Sequence, residues 1–165
     1  MDSKPCSLNA AKVVFIGAGP GEADLITVRG SRLLVQAQVV LYDALADPAL
    51  RDLAPDADWI DVGKRGFSGQ PGSDYNGQTR INQLLVEQSL AVGAIHGERG
   101  LVARLKGGDP SLFGRLEEEL HVLREAGIPC EIVPGVTSAL AAAAGTQRPL
   151  TRRGTGRSVS FTTAM

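Results

Sequence analysis

Residues 101–114, LVARLKGGDPSLFG, have the pattern of a short strand that ends at a stiff, glycine-rich turn. The apolar alternation at the start of the segment predicts a β-strand. Gly107 and Gly108 have no side chain, so the backbone there can take positive φ and lie flat against a ligand. Asp109 adds a carboxylate, and Pro110 fixes its own φ. For this segment alone, a tight strand-to-helix turn without a ligand is the simpler explanation.

Other segments of the chain favour a binding site. A second glycine-rich turn, GAGPGE at 17–22, follows VVFI, and a third turn, PGVTS, lies at 134–138. Asp43 directly follows the predicted strand VVLY, where a ligand contact and a turn-capping aspartate are both reasonable interpretations. Lys64 follows the next strand pattern. Because the carboxyl ends of parallel strands meet at one edge of a sheet, we expect these segments to line a crevice.

Strand and helix patterns alternate five times, which predicts an α/β fold with a mostly parallel sheet flanked by helices. We predict a flexible tail over residues 1–12 and one α/β domain over 13–157. At 158–165 we predict the start of a strand leading to a second domain that is absent from this chain. With 165 residues, 43% of them hydrophobic, the chain is long enough to bury a core.

The local patterns also predict individual elements. Thr27 is a good N-cap for a helix through Ala37, and Thr79 for a helix that frays in the glycine-rich stretch 93–100. The glutamates at 117–119 suit the solvated first turn of another helix, where they favour the positive end of the helix dipole. The run at 159–162 has a strand pattern.

Charge and cysteine usage exclude several classes of protein. The net charge of −1 gives no general attraction to nucleic acid or to an anionic membrane. Cys6 and Cys130 are far apart, and the chain shows neither a signal peptide nor a long apolar span, so we expect a reducing cytoplasm. Two histidines and two scattered cysteines argue against a metal site.

A dinucleotide-dependent oxidoreductase is the obvious alternative for such a fold. Its fingerprint requires G-x-G-x-x-G running straight into a helix. In GAGPGE the third glycine, Gly21, comes one residue early, and Pro20 interrupts the turn. Asp43 would serve as the ribose-binding acid, which keeps this alternative open. A P-loop is excluded because the chain contains no G-K-[ST].

The chain contains six motifs in this order: VVFIGAGPGEADLITVRG, VVLYDALAD, VGKRG, RLKGGDPSLFGR, GIPCEIVPGVTSALAAA and RPLTRRG. Their order and spacing resemble those of the tetrapyrrole methylases that use S-adenosylmethionine. The resemblance runs from Val13 to Thr163 and is greatest for the uroporphyrinogen-III C-methyltransferase branch. GDPSLFG is more typical of the precorrin-4 methyltransferase branch, whereas VVLYD, GKR and RLKGGDP favour the uroporphyrinogen branch.

The resemblance implies methyl transfer from S-adenosylmethionine to carbons 2 and 7 of uroporphyrinogen III, which gives precorrin-2 on the way to sirohaem and cobalamin. It implies that Asp43 is the general base and Lys64 the proton donor. It also implies which residues contact the methyl donor. These are Pro20, Gly107, Gly108, Asp109, Leu112, Thr137 and Ser138.

The tetrapyrrole substrate carries carboxylates, so local basic residues are expected to anchor it despite the near-neutral chain. We assign this role to Arg65, Lys106, Arg152 and Arg153. The resemblance also implies a second domain of roughly another hundred residues that covers the donor, and we expect a homodimer. Three hypotheses remain at this point: a methyltransferase or its first domain, a dinucleotide-dependent oxidoreductase, and a truncated module that only binds.

Overall fold

A computed structural model describes residues 9–63 and 73–163. In this part of the chain five parallel strands form one sheet in the order β3-β2-β4-β1-β5. The predicted α/β class with a parallel sheet is confirmed. The strands are β1 (Lys12–Gly17), β2 (Val39–Tyr42), β3 (Asp58–Asp61), β4 (Leu101–Lys106) and β5 (Cys130–Val133).

Helices pack on both faces of the sheet and bury its alternating side chains. On one face Phe15 and Leu41 pack with Leu85 and Leu123 of two helices. On the other face a second apolar cluster surrounds Ile16 and continues to the first helix. The helices are α1 (Val28–Leu34), α2 (Ser73–His96), α3 (Leu116–Glu125) and α4 (Ser138–Gly145), with 3-10 turns at Ala23–Leu25, Pro48–Leu53 and Gly97–Arg99.

Local chemistry explains where the first helical elements begin. The Thr27 hydroxyl accepts a hydrogen bond from the Gly30 N–H at 3.1 Å and caps α1. Asp47 accepts from the Ala49 N–H at 2.9 Å at the start of the 3-10 turn that follows β2. Strand β4 lies between β2 and β1, and all its residues are buried. Its carboxyl end therefore opens at the middle of the sheet edge.

Several element predictions were wrong in their bounds. Helix α2 begins at Ser73, before the predicted Thr79. The sequence did not reveal this start because the polar stretch that precedes Thr79 carries no apolar periodicity. The helix continues to His96, with Gly93 buried, so it does not fray there. The run at 159–162 is not a strand of the sheet in the described chain.

Two burial predictions also need correction. Residues 9–12 were expected in the tail, but Ala11 is fully buried and its carbonyl accepts a hydrogen bond from the Ser89 hydroxyl. Lys12 already belongs to β1. Glu119 was expected in a solvated turn, but it is fully buried because α3 turns this glutamate towards β4. No helix within the described ranges is long and apolar enough to cross a membrane.

We expect Glu131→Gln to destabilise the fold slightly at neutral pH and not in acid. Lys12 and Arg29 both pair with the Glu131 carboxylate, and the hydrogen bond from Lys12 is the main reason that the pKa of Glu131 is lowered from 4.5. A depressed carboxyl pKa stabilises the folded state above about pH 4.5, and this contribution is lost as the pH falls through the folded pKa. Urea titrations at pH 7 should show a loss of about 0.5–1 kcal/mol.

The control for this prediction is Glu98→Gln, which neutralises an exposed carboxylate. It should leave the free energy of unfolding unchanged at both pH values. An equal loss for Glu131→Gln at pH 7 and below its folded pKa would show that packing, and not the ion pairs, sets the effect.

Candidate functional site

A cavity of about 980 Å³ opens at the carboxyl edge of the sheet. Its walls come from the segments that follow β1, β2, β4 and β5, as the position of the glycine turns predicted. The segments that line it include Gly19 and Pro20, Asp43 to Leu45, Lys106 to Asp109, Leu112 to Arg115, and Thr137 to Ala139.

Two glycine turns meet backbone to backbone in the cavity. The Gly108 N–H donates to the Gly19 carbonyl at 2.7 Å, and the Gly19 N–H donates to the Gly108 carbonyl at 3.4 Å. Both residues have positive φ, +81° at Gly19 and +66° at Gly108. L side chains rarely adopt this conformation, which explains glycine at both positions. The result is a flat surface made of main chain.

The turn after β5 packs directly against this surface. A Cβ atom on Gly135 would lie 2.2 Å from the Gly108 carbonyl oxygen, so only glycine fits there. Asp109 links the turn after β4 to the turn after β5 through its carboxylate. The carboxylate accepts from the Ser111 N–H at 2.8 Å and from the Gly135 N–H at 2.9 Å. Asp109 therefore fixes the shape of the site whether or not it contacts a ligand.

Asp43 lies at the rim of the cavity, at the carboxyl end of β2. Its carboxylate accepts from the Leu45 N–H at 3.2 Å and, more weakly, from the Gly107 N–H at 3.5 Å. The side chain is 25% exposed, and Arg104 Nη1 lies 4.0 Å from Oδ2. The partly exposed Asp43 carboxylate is therefore one of the groups that line the cavity.

Beneath Asp43 a group of charged side chains is buried in the cavity wall. Arg104 and Lys106 project from β4 towards α3, and Glu119 of α3 lies between them. The Glu119 Oε1 atom is 2.9 Å from Lys106 Nζ, 3.4 Å from Arg104 Nη2 and 3.3 Å from Gln78 Nε2. All four residues are at least 96% buried.

Burial lowers the pKa of Lys106 below its ordinary 10.5, and the nearby charge of Arg104 lowers it further. The Glu119 carboxylate opposes both effects by its charge and its hydrogen bond, and Asp43 opposes them more weakly. The Lys106 ammonium is thus held by an internal anion in the cavity wall. The lysine that was predicted to anchor substrate already has a partner.

The loop that precedes α3 forms another side of the cavity and has unusual backbone geometry. Phe113 and Arg115 are not glycines, yet their φ values are +57° and +52°. Such strain concentrates at functional sites, and both residues line the cavity. Arg115 forms a two-point ion pair with Glu118, with distances of 2.6 and 2.9 Å, and this pair holds the loop against the start of α3.

The structure brings most of the predicted site residues together. The cavity is lined by Pro20, Asp43, Lys106, Gly107, Gly108, Asp109, Leu112, Thr137 and Ser138. Arg152 and Arg153 are exposed and are not among the lining residues. Lys64 and Arg65 lie outside the described residues.

Sequence reasoning missed the roles of Arg104, Glu119 and Gln78. A signal was present for the first of them, because alternation along LVARLK places Arg104 and Lys106 on the same side as the buried Val102. Two cations on a core-facing side of a central strand require a buried anion. Three glutamates in the next helix offered one.

S-adenosylmethionine combines a flat adenine ring with polar sulfonium and amino-acid ends, and the residues that line the cavity suit these groups. The main-chain surface at Gly108 leaves room for a flat group, and Leu112 contributes an apolar wall. Thr137 lies at the N-terminus of α4, and its hydroxyl makes no capping bond to that helix. Within the described chain no cluster of three or more His, Cys, Asp or Glu side chains could hold a metal ion.

A dinucleotide site is not built at the first glycine turn. Helix α1 begins only at Val28, and a 3-10 turn separates it from GAGPGE. The helix N–H groups that would meet a pyrophosphate are therefore displaced from this turn.

The chain matches the family described as Tetrapyrrole (Corrin/Porphyrin) Methylases over residues 12–165. It belongs to this family, and the resemblance that the motifs indicated is confirmed. Over 153 residues it is 45% identical to uroporphyrinogen-III C-methyltransferase from Cyanidium caldarium, covering 92% of this chain and 56% of that protein. It is 48% identical to siroheme synthase 2 from Yersinia pestis (strain Pestoides F), covering 92% of this chain and 30% of that protein.

A solved structure agrees with these sequence relatives. The fold matches the crystal structure of uroporphyrin-III C-methyltransferase from Thermus thermophilus complexed with S-adenyl homocysteine, with a TM-score of 0.67 and 42% identity. The match covers 87% of this chain and 54% of that one. The chain thus spans between about a third and just over half of the length of these relatives.

Proposed function

We propose that this chain carries the methyl-donor site of a uroporphyrinogen-III C-methyltransferase, which uses S-adenosylmethionine to methylate carbons 2 and 7 and form precorrin-2. The observation that carries the proposal is the placement of the Asp43 carboxylate beside the main-chain surface of Gly19 and Gly108, in one cavity. The names of the relatives support the choice of reaction.

Each predicted donor contact has a role in this proposal. Gly107 and Gly108 let the donor lie against main chain, Pro20 and Leu112 close the cavity on its apolar side, and Thr137 and Ser138 offer hydroxyls. Asp109 holds the turn after β4 against the turn after β5. S-adenosylmethionine supplies an electrophilic methyl group on a sulfonium, so the protein need supply no nucleophile.

The protein must then hold donor and acceptor in line and take up the proton that the macrocycle loses as its double bonds rearrange after methylation. Asp43 is the proposed base, because its carboxylate is accessible at the cavity rim, and its negative charge also stabilises a cationic ring. Lys64 is the proposed proton donor. Arg65, Arg152 and Arg153 are the proposed anchors for substrate carboxylates, whereas the Lys106 ammonium is held by Glu119.

We further propose that the enzyme acts in the cytoplasm, as a homodimer and without a metal ion. The cysteine usage supports the compartment. Exposed apolar side chains in the carboxyl-terminal part of the chain, Leu140, Leu150, Val159 and Phe161, support a further contact surface.

The test is methyl transfer from isotopically labelled S-adenosylmethionine to uroporphyrinogen III, with residues 1–165 fused to the carboxyl-terminal half of the Cyanidium relative. We expect a product with two labelled methyl groups, identified by mass. A product with a single methyl group, placed as in the precorrin-4 branch, would assign the chain to that branch and to its substrate instead. Binding of the donor without any transfer would leave a binding module only.

A further inference from the structure

The buried charges beneath Asp43 form a connected chain from helix α3 to the cavity. Glu119 is fully buried, and its Oε1 atom accepts hydrogen bonds from side-chain nitrogens of Lys106, Arg104 and Gln78. Arg104 continues the chain towards Asp43, since its Nη1 atom lies 4.0 Å from the Asp43 carboxylate. The same Nη1 atom donates to the Leu105 carbonyl at 2.9 Å.

This arrangement is incompletely satisfied. Arg104 Nε and Glu119 Oε2 lie 3.3 Å apart without the alignment of a hydrogen bond. Within the described chain neither atom has another hydrogen-bond partner, although both are buried. Because buried charged groups are costly unless their polar atoms are hydrogen-bonded, this imperfect pairing beside a cavity calls for an explanation.

We propose that Glu119 and Arg104 are positioning residues that set the orientation of Asp43, and that Lys106 belongs to the same support. The inference rests on the proposed function for the role of Asp43. The Arg104 guanidinium is the link, since one edge faces Glu119 and the other faces Asp43. A guanidinium presents its donors in one fixed plane, whereas an ammonium is a compact charge with rotatable donors, so the guanidinium relates the directions of the two carboxylates.

The charges explain why Glu119 is required. Arg104 and Lys106 place two positive charges in the wall, and Glu119 is the fully buried anion between them. Without it, Asp43 would be the nearest remaining anion to Arg104. The guanidinium would then move towards the cavity, and the carboxylate would lose its fixed direction.

The first test is a spectroscopic one on the full 165-residue chain and needs no turnover. With ¹³C-labelled aspartate and ¹⁵N-labelled arginine, Glu119→Gln should shift the Asp43 carboxyl carbon signal and speed solvent exchange of the Arg104 Nε–H. Glu117→Gln neutralises an exposed carboxylate in the same turn of α3 and should change neither signal. Unchanged Asp43 and Arg104 signals in a folded Glu119→Gln variant would overturn the proposal.

A second variant keeps the test decisive if Glu119→Gln does not fold. Arg104→Lys retains the positive charge but not the planar guanidinium group, and it should shift the Asp43 signal in the same way. An unshifted signal there would also contradict the proposed link.

Turnover supplies a second readout in the fusion used for methyl transfer. Glu119→Gln should lower kcat on the order of 100-fold, the scale for a misplaced reacting group, with the donor KM unchanged. Adding Glu119→Gln to Asp43→Asn should cause little further loss, since the first residue acts through the second. A loss confined to the donor KM would place Glu119 in the donor site instead. An inactive wild-type fusion would count against the proposed function alone.

Discussion

Asp43→Asn is expected to reduce methyl transfer by about 10²–10⁴-fold, the usual contribution of a general base, and to leave donor affinity unchanged. The variant keeps the side-chain shape and an oxygen that can accept from the Leu45 N–H, but it cannot take a proton from the substrate. The main-chain surface at Gly19 and Gly108 is not altered. The rate is measured in the fusion, and donor affinity by calorimetry with S-adenosylhomocysteine.

Asp58→Asn is the control for this change. Asp58 is exposed at the first position of β3, at the opposite edge of the sheet from the cavity. It should leave both rate and affinity unaltered. If Asp43→Asn weakens donor binding but retains its rate, Asp43 is a donor contact and another group takes the proton.

Gly108→Val is expected to remove donor binding, with a loss of affinity of at least tenfold, about 1.4 kcal/mol. The added Cβ would lie 3.8 Å from Thr137 Cα, and the branched methyl groups would extend into the space between two turns that line the cavity. The φ of +66° is also strained for any β-branched residue, which costs about 1–3 kcal/mol of stability.

The chain offers a matched control for that strain. Gly127 has the same φ of +66°, follows α3 away from the cavity, and has no atom within 4 Å of an added Cβ. Gly127→Val should therefore cost similar stability without affecting donor binding. Equal donor affinities for the two variants, measured on folded protein, would mean that the turn at Gly108 is structural only.

The sequence predicted the position of the cavity because strands and glycine turns are local signals. The turns at Gly19 and Gly108 and the carboxylate of Asp43 each follow a strand pattern. In a parallel sheet this places them at one edge without any knowledge of side-chain contacts. The register of β1 with β4, which pairs Gly17 with Lys106, brings the two glycine turns into contact.

The buried support of Asp43 could not be predicted in the same way. Three consecutive glutamates begin α3, and which one faces the sheet depends on the residue at which the helix starts. That start is set by the positive φ of Arg115, which no residue preference indicates. The start of α2 was missed for a related reason, since its first turn carries no apolar stripe and tertiary contacts further along decide the helix.

Calorimetric titration of the 165-residue chain with S-adenosylhomocysteine tests most directly whether the cavity at the sheet edge is a methyl-donor site. We predict saturable one-to-one binding that is weaker than in the longer relatives, because contacts from only this part of the fold offset the cost of immobilising the ligand. Gly127→Val should bind as the unchanged chain does, and Gly108→Val should not bind. No saturable heat from a folded chain, or saturable binding of a nicotinamide dinucleotide in its place, would contradict the account.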